Sequence, residues 1–582
     1  MASADVTSKD RPTGNAAAGG DAAAEIRAAG PAAPGLGRVP FALRIGVTGH
    51  RSLADPDAVA GAVREALRLV RGRLAVRPGT QTVLVAVSAL AEGADRVVAE
   101  QVLAEPGSRL EVVLPRGRNA YARDFATAAS RREFHDLLRR ASAVWQAPSL
   151  DSDQDGYKWA GRQVADRCDV LVAVWDGEHE RGRGGTAEIV RYAREQQVPL
   201  VWICPGGSGG GGGGPVLHAE LETEAFGLLR KSAKDLSTFN AGRLSGPAFQ
   251  ARLARELGDL GLGKDRGPGD GAGAAMPEEF RSYCDDVAAW LLPFFIRADT
   301  LAVRLQGWFR ALSTAVFAMA AAAVAVVAVQ VNFWPGTNWV AIFEVLLLLM
   351  LLAIPASRNW LQLHERWTSY RFLAERLRSA YFLALAGTTD RAGRGGQSSF
   401  ADPSVGWIER ALAEIVARRP PQRPAATEVE PLREYLGTYW IQDQAAYHVK
   451  ASGRHEKWEK RFRGATIALF TVTLFAALLH VSGVGHHGAG RSALESTLIV
   501  VSICVPAVGA AVHGIESQRQ FRRHSQRFSR MNMLLRRLCS RMEAARDLPQ
   551  VQSIAAEVER TMREESNDWF GVMRFHDVEL IM

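Results

Sequence analysis

The chain has 582 residues, which at about 100–200 residues per domain excludes a single compact fold. Lys and Arg number 70 against 62 Asp and Glu, a small excess of +8. Many of these cations flank apolar runs, which favours contact with a membrane over binding to nucleic acid. The five cysteines lie far apart without a C-x-x-C or His-flanked zinc pattern, so neither a disulfide framework nor a metal site is predicted.

The first half of the chain predicts an α/β domain between flexible segments. Residues 1–38 are rich in Ala, Gly and Pro and lack the apolar core of a signal peptide, which indicates a disordered tail. Over residues 39–205, six short β-rich runs, from Phe41–Val47 to Val198–Cys204, alternate with helical patterns. This alternation predicts a Rossmann-like α/β domain with a parallel sheet buried on both faces. Residues 206–276 predict two Gly-rich linkers around a polar helical connector.

Two pairs of apolar segments predict a membrane region of four transmembrane helices. The pairs are Ala311–Val329 with Trp339–Ala356, and Gly464–Gly483 with Ser496–Ile515. At 1.5 Å per residue each segment can cross a hydrocarbon core of roughly 30 Å, although buried core helices of a soluble domain are the alternative. Lys and Arg crowd the outer ends of both pairs, while the two connecting loops hold only Arg491. This asymmetry predicts a multi-pass protein of the cell (inner) membrane with both termini and the α/β domain in the cytoplasm.

The two apolar pairs also predict an internal repeat. Each pair is followed by a cationic helical segment, starting at Arg366 and at His524, and an offset of 158 residues aligns apolar positions of the two. We therefore expect a first two-helix module over 277–390, a linker over 391–435 and a second module over 436–582. Glu344 lies about one turn inside the second apolar segment, where a carboxylate either faces a pore or stays near the interface.

Three small-residue loops of the α/β domain predict a ligand site. The first strand ends in Gly46–Arg51, the second in Ser88–Arg96, and the fifth in Trp175–Glu178 followed by Arg181–Glu188. Glycines allow close approach of a ligand, and the helix N-termini that follow favour an anion such as phosphate. Ligands of parallel sheets bind beyond the carboxyl ends of the strands, where these loops converge. The alternatives are tight βα turns and, for Asp95, a helix cap.

The loops carry a set of motifs that resembles a known family. The motifs are G-V-T-G-H-R from Gly46, S-A-L-A-E-G-A-D-R from Ser88, L-P-x5-Y-A-R-D-F from Leu114, and V-W-D-G-E from Val174 followed by R-G-x-G-G-T-A-E. Over about residues 41–204 they resemble the SLOG superfamily, which is Rossmann-like, related to the DNA-processing protein DprA and the lonely guy (LOG) phosphoribohydrolases, and associated with nucleotide-derived ligands. The hairpins followed by Y-R-F-L-A-E-R-L-R resemble SLATT domains, two-transmembrane effector modules that accompany SLOG sensors in bacterial conflict systems.

The resemblance implies a cytoplasmic nucleotide sensor fused to a membrane effector. Such an effector would form a pore or disrupt the membrane when a ligand signals phage infection, and it would need several copies of the chain because four helices enclose no wide pore. The alternatives are a membrane-tethered LOG-like N-glycosidic hydrolase and, from the repeat, a transporter. The expected partners are a nucleotide-derived ligand, membrane lipid and further copies of the chain.

Carried over residue by residue, the resemblance implies a set of ligand contacts and no assured catalytic group. The LOG hydrolases carry P-G-G-x-G-T-x-x-E, whereas here Glu188 follows Thr186 by two residues, so the helical register of that carboxylate is shifted. Glu188, Glu92 and Glu178 are the candidate acids or bases. The expected ligand contacts are Gly46, Thr48, Gly49, His50, Arg51, Ser88, Gly93, Asp95, Arg96, Asp176, Gly184, Gly185, Thr186 and Glu188.

Overall fold

The computed structural model of the protein describes residues 37–150, 152–178, 185–205, 214–244, 246–263, 276–388, 406–419, 429–484 and 492–575. Within them the chain forms an α/β unit and a helical unit. The predicted tail falls almost entirely outside the described residues, as do most of the two Gly-rich linkers and parts of the linker between the two-helix modules.

The α/β unit is built on a seven-stranded sheet in the order β4-β3-β2-β1-β5-β6-β7. The first six strands are parallel, and β7 pairs antiparallel with β6, with Leu200 opposite Glu220. The predicted α/β fold is confirmed, and its central strands are buried because their Val-, Leu- and Ala-rich runs are apolar on both faces. The strands are β1 Phe41–Gly49, β2 Thr82–Ser88, β3 Arg109–Leu114, β4 Ala143–Gln146, β5 Val170–Val174, β6 Leu200–Cys204 and β7 Val216–Glu220.

The order of the strands fixes where a ligand can bind. From β1 the chain builds outward through β2, β3 and β4 on one side, and then returns to place β5 and β6 on the other. A crevice therefore opens between the loops that follow β1 and β5, which is the switch point of a doubly wound sheet. The helices of this part of the chain are α1 Pro56–Leu74, α2 Ala94–Leu103, α3 Arg118–Tyr121, α4 Ala128–Arg139, α5 Asp153–Arg167, α6 Thr186–Glu195 and α7 Glu224–Ala241.

One expectation for the end of this region is wrong. The sequence over 216–260 reads as helical and polar throughout, but its first residues form β7, an edge strand whose side chains are mostly exposed. Its backbone pairs with β6, and Arg194 of α6 binds Glu220 at 2.6 Å. Pairing with a preformed neighbour therefore overrides the weak local preference of this segment.

The remaining described residues are mostly helical. A short π-helical stretch, Leu436–Gln442, joins α13, Val429–Tyr435, to α14, Asp443–Val481, so that these elements run on as one long helix. In chain order the remaining helices are α8 Gly246–Asp259, α9 Glu278–Phe333, α10 Asn338–Ala356, α11 Arg358–Leu385, α12 Gly406–Ala417, α13 Val429–Tyr435, α14 Asp443–Val481, α15 Ala493–Arg519, α16 Phe521–Ala544 and α17 Leu548–Phe575.

Among the described residues, three helices are long and apolar enough to cross a membrane. They are Glu278–Phe333, Val429–Val481 and Ala493–Ala544, and they cover three of the four predicted spans, apart from the last two residues of Gly464–Gly483. The other predicted span falls on α10, whose apolar part among the described residues, Ile342–Ala356, is shorter. The chain therefore has the helices of a membrane protein, while a fourth crossing, the orientation and the type of membrane stay predictions.

Helix α12 belongs to the α/β unit, although it lies between the two halves of the helical unit in the sequence. Arg410 binds both carboxylate oxygens of Asp169, at 2.6 and 2.9 Å, and Glu414 pairs with Arg109. Trp407 packs against Phe239 of α7, with ring centroids 5.6 Å apart. Because Asp169 precedes β5 and Arg109 begins β3, these ion pairs join α12 to the amino ends of the strands.

Candidate functional site

A cavity of about 500 Å³ opens at the carboxyl ends of β1, β2 and β5, at the switch point of the sheet. The loop after β1 forms one side of it and the start of α6 forms another, as the motif loops predict. Its lining is completed by Tyr121 after β3 and by residues of α5 between Tyr157 and Val164. Residues that line it are Val47, Thr48, Gly49, His50, Arg51, Ala89, Ala91, Asp95, Tyr121, Tyr157, Ala160, Gly161, Val164, Trp175, Asp176, Glu178, Gly185, Thr186, Ala187 and Ile189.

His50 and Asp176 link the two loops at the switch point. The backbone N–H of His50 donates to the carbonyl of Val174 at 3.1 Å, which extends the pairing of β1 with β5 by one residue. In return, His50 Nε2 accepts a hydrogen bond from the backbone N–H of Asp176 at 3.1 Å and lies 3.3 Å from Asp176 Oδ1. The imidazole thus holds the aspartate loop in place, and its ring and the carboxylate both border the cavity.

Asp95 is a buried carboxyl group on the cavity wall, with only 5% of its surface exposed. Its Oδ2 accepts hydrogen bonds from Ser88 Oγ at 3.1 Å and from the backbone N–H of Ala91 at 3.3 Å. Burial raises the pKa of Asp95 to about 6, because these bonds compensate only in part for the lost hydration. The site therefore holds a carboxyl group that takes up a proton just below neutral pH.

Two tyrosines and an arginine form an aromatic and cationic wall. The guanidinium of Arg51 lies 5.2 Å from the centre of the Tyr157 ring, within the range of a cation–π contact. The Tyr157 hydroxyl donates to Asp124, which also pairs with Arg116, so the ring is held from behind. Tyr121 is fully buried beside it, with ring centroids 6.1 Å apart.

Helix α6 begins at the cavity without a side-chain cap. Its N-cap residue is Gly185, which has no side chain that could accept a hydrogen bond from the first turn. The first backbone N–H groups of a helix have no partner within the helix, and the helix dipole adds positive potential there. Gly185, Thr186 and Ala187 line the cavity, so this end of α6 provides donors for an anionic group.

Eight of the predicted ligand contacts line the cavity. They come from all three motif loops, although the second loop contributes Asp95 alone. The eight are Thr48, Gly49, His50, Arg51, Asp95, Asp176, Gly185 and Thr186. Gly184 lies outside the described residues.

The other predicted contacts lie behind the cavity, where they shape it. A Cβ on Gly46 would lie 2.7 Å from the side chain of Cys168, and one on Gly93, whose φ is +77°, would lie 2.4 Å from the carbonyl oxygens of His50 and Arg51. Ser88 donates to Asp95, and buried Arg96 binds Ser130 at 2.9 Å and Glu133 at 2.7 Å. Both glycines therefore serve close packing of the loops rather than approach of a ligand.

The three candidate acids differ in position. Glu178 lines the cavity. Glu92 accepts a hydrogen bond from Ser130 Oγ, and Glu188 is buried and pairs with Lys158 at 2.9 Å, so neither contributes to the cavity wall. Glu344 lies on α10, the shorter apolar helix. Among the described residues, no group of three or more His, Cys, Asp or Glu is placed to hold a metal ion.

Three aromatic residues line the cavity although none of them is among the predicted contacts: Tyr121, Tyr157 and Trp175. Tyr121 belongs to the L-P-x5-Y motif, and its position after a parallel strand was a signal for the site. Tyr157 lies on α5 among polar residues without any motif, and only the packing of α5 on the sheet brings it to the cavity.

The fold and the cavity define a class: a doubly wound α/β domain with a cavity at its switch point, in a chain that also carries membrane-type helices. No protein-family model matches the chain, and no curated protein matches it significantly.

Proposed function

We propose that the protein is a nucleotide-responsive membrane effector of the SLOG–SLATT type. The α/β unit binds a nucleotide-derived ligand, and the helical unit then permeabilises the membrane as a homo-oligomer, in bacterial defence against phage. The cavity at the switch point carries this proposal. Its volume of about 500 Å³ lies within the roughly 300–1,000 Å³ that is usual for small-molecule sites.

The lining of the cavity supports a nucleotide over other small molecules. The start of α6 and the guanidinium of Arg51 are suited to phosphate oxygens. Asp176 and Glu178 are suited to accept hydrogen bonds from ribose hydroxyls or from a base. The rings of Tyr157 and Trp175 give flat apolar surfaces against which a base can stack.

Helix α12 supports coupling between the ligand site and the membrane helices. The sheet is connected to the helical unit not only after α7 but also at both ends of α12, through which the chain passes from the first two-helix module to the second. Two ion pairs and the contact of Trp407 with Phe239 secure α12 to the sheet. A shift of the sheet on ligand binding would therefore act on both halves of the helical unit.

The tethered hydrolase remains a second candidate, because Glu178 lies on the cavity wall where it could serve as an acid or base. The ion pair of Glu188 with Lys158 argues against Glu188 as the acid or base of such a hydrolase.

The test uses the full chain in liposomes that contain a fluorescent dye. A panel of nucleoside phosphates, dinucleotides and cyclic oligonucleotides is added, and dye release, bound ligand and cleavage products are measured together. An effector retains an intact ligand and releases dye; a tethered hydrolase releases free base or sugar phosphate without releasing dye. Absence of any bound or cleaved nucleotide would refute both.

A pair of variants assigns the response to the cavity. Gly185→Glu places a carboxylate at the start of α6 and should abolish ligand binding and dye release without changing membrane insertion. Gln196→Glu adds the same charge at the exposed C-terminal end of α6 and should respond normally. A normal response of Gly185→Glu would exclude the cavity as the ligand site.

A further inference from the structure

Arginines of two helices lie side by side where the apolar segments of the helical unit begin or end, and a third helix places Arg454 near them. Arg310 directly precedes the apolar part of α9, Arg519 ends α15, and Arg454 lies on α14. Arg519 Nη2 donates to Thr314 Oγ1 at 3.1 Å, and the same hydroxyl donates to the carbonyl of Arg310 at 2.8 Å. This places the guanidinium of Arg519 beside α9, one helical turn from Arg310.

Arg519 and Arg454 both act electrostatically on Arg310. Loss of hydration, and then repulsion from these two cations, lower the pKa of Arg310 below its usual range. Other arginines of the same unit have carboxylate partners: Arg371 binds Asp299 at 2.8 Å, and Arg527 binds Glu565 at 2.7 Å. Among the described residues no carboxylate pairs with Arg310, Arg454 or Arg519.

The neighbouring carboxylates and histidines do not neutralise or add to this charge. Glu516, one turn before Arg519, lies 3.8 Å from His513, and Glu456, near Arg454, binds Lys460 at 2.6 Å. Burial lowers the pKa of His455 to about 4, and repulsion from His524 and the arginines adds to the shift, so this imidazole is neutral at physiological pH. The cluster therefore carries three positive charges that no carboxylate among the described residues offsets.

The surroundings of the cluster match the headgroup level of a bilayer. Trp308, two residues before Arg310, is 66% exposed, and Trp458, one turn after Arg454, is 43% exposed. Exposed tryptophans favour the interface between headgroups and hydrocarbon. Beyond them on α14 lie exposed apolar side chains such as Ile467 and Phe470, which suit acyl chains.

We propose that Arg310, Arg454 and Arg519 form a binding site for the phosphate group of an anionic phospholipid. Guanidinium groups bind phosphate oxygens in a bidentate manner, and basic pockets between transmembrane helices are suited to lipid headgroups. Arg310 and Arg454 are exposed, so a lipid can reach them from the side of the helices. The site is independent of the ligand cavity in the α/β unit.

The test measures the association of spin-labelled phosphatidylglycerol and phosphatidylcholine with the full chain in phosphatidylcholine bilayers, by electron paramagnetic resonance. The wild type should prefer the anionic lipid, and Arg310→Gln/Arg454→Gln/Arg519→Gln should lose this preference, at about fivefold for each charge removed. The charge-matched control Arg530→Gln/Arg537→Gln/Arg560→Gln, at exposed positions of α16 and α17, should retain it.

Further arms separate the remaining explanations. A triple Arg→Lys variant at the three positions keeps the charge and should retain most of the preference, which guards against loss through misfolding. An excess of inorganic phosphate should not displace the lipid, and displacement would indicate a site for a soluble anion instead. Equal lipid selectivity of the wild type and the triple Gln variant, or equal losses in that variant and the control, would overturn the proposal.

Discussion

Replacing Asp95 by Asn should stabilise the sheet around the cavity at neutral pH. Burial raises the pKa of Asp95 from 3.8 to about 6, so holding this group ionised in the folded state at pH 7.5 costs about 3 kcal/mol relative to the unfolded chain. Asn keeps one oxygen for Ser88 and Ala91 but presents an NH2 group, which accepts no hydrogen bond, in place of the second carboxylate oxygen. The backbone of Ala89 also hydrogen-bonds the carboxylate, and losing this bond costs about 1 kcal/mol, which leaves a net gain of about 2 kcal/mol.

The sign of the pH dependence follows from the raised pKa. The folded state takes up a proton near pH 6 and the unfolded state only near pH 4, so the penalty of the wild type shrinks as the pH falls from 7 to 4. Amide hydrogen exchange of the full chain, read on peptides that cover β2 and α2, measures the local opening free energy. Protection should rise by roughly 30-fold in Asp95→Asn at pH 7.5 and should match the wild type near pH 4, because about 2 kcal/mol corresponds to that factor.

An exposed carboxylate gives the control. Asp57→Asn, in the first turn of α1, should change protection in the same peptides by much less. If Asp95→Asn lowers protection at pH 7.5, or raises it equally at both pH values, then desolvation of an ionised Asp95 is not the cause and the reasoning fails.

Three further predictions concern packing, coupling and pH. Gly93→Ala should lower the free energy of unfolding by about 2 kcal/mol or more, because its Cβ would meet two backbone carbonyl oxygens at a positive φ. Gly72→Ala, within α1 and in open space, should raise the free energy of unfolding by roughly 0.5–1 kcal/mol. Thermal unfolding distinguishes the two variants. Arg410→Gln removes the ion pair that joins α12 to Asp169, and should weaken dye release while nucleotide binding persists; unchanged release would remove α12 from the coupling. Burial lowers the pKa of His455 and His524, outside the apolar segments, to about 4, so the unfolded chain binds more protons below pH 6.5 and stability falls between pH 6.5 and 4. His455→Asn should make the unfolding temperature fall less between pH 6.5 and 4. An unchanged pH profile of the unfolding temperature would contradict the lowered pKa of His455.

The motif loops show how far a sequence alone can locate the site. Thr48 lies at the end of β1, Asp176 follows β5 and Thr186 begins α6, so their place at the carboxyl edge of the sheet was predictable from topology. Gly49 and Gly93 look alike in the sequence, but only Gly49 borders the cavity. The packing of one loop against another makes this difference, and sequence spacing does not contain it.

The sequence by itself determined the α/β sheet and three long apolar helices, because both depend on the local density and period of apolar residues. The tertiary structure decided the rest. It placed Tyr157 at the cavity and held Glu188 away from the cavity in an ion pair. It also added β7 to the sheet and brought α12 to the amino ends of the strands. These outcomes depend on contacts between residues far apart in the chain, whose free energy outweighs local preference and which no short pattern records.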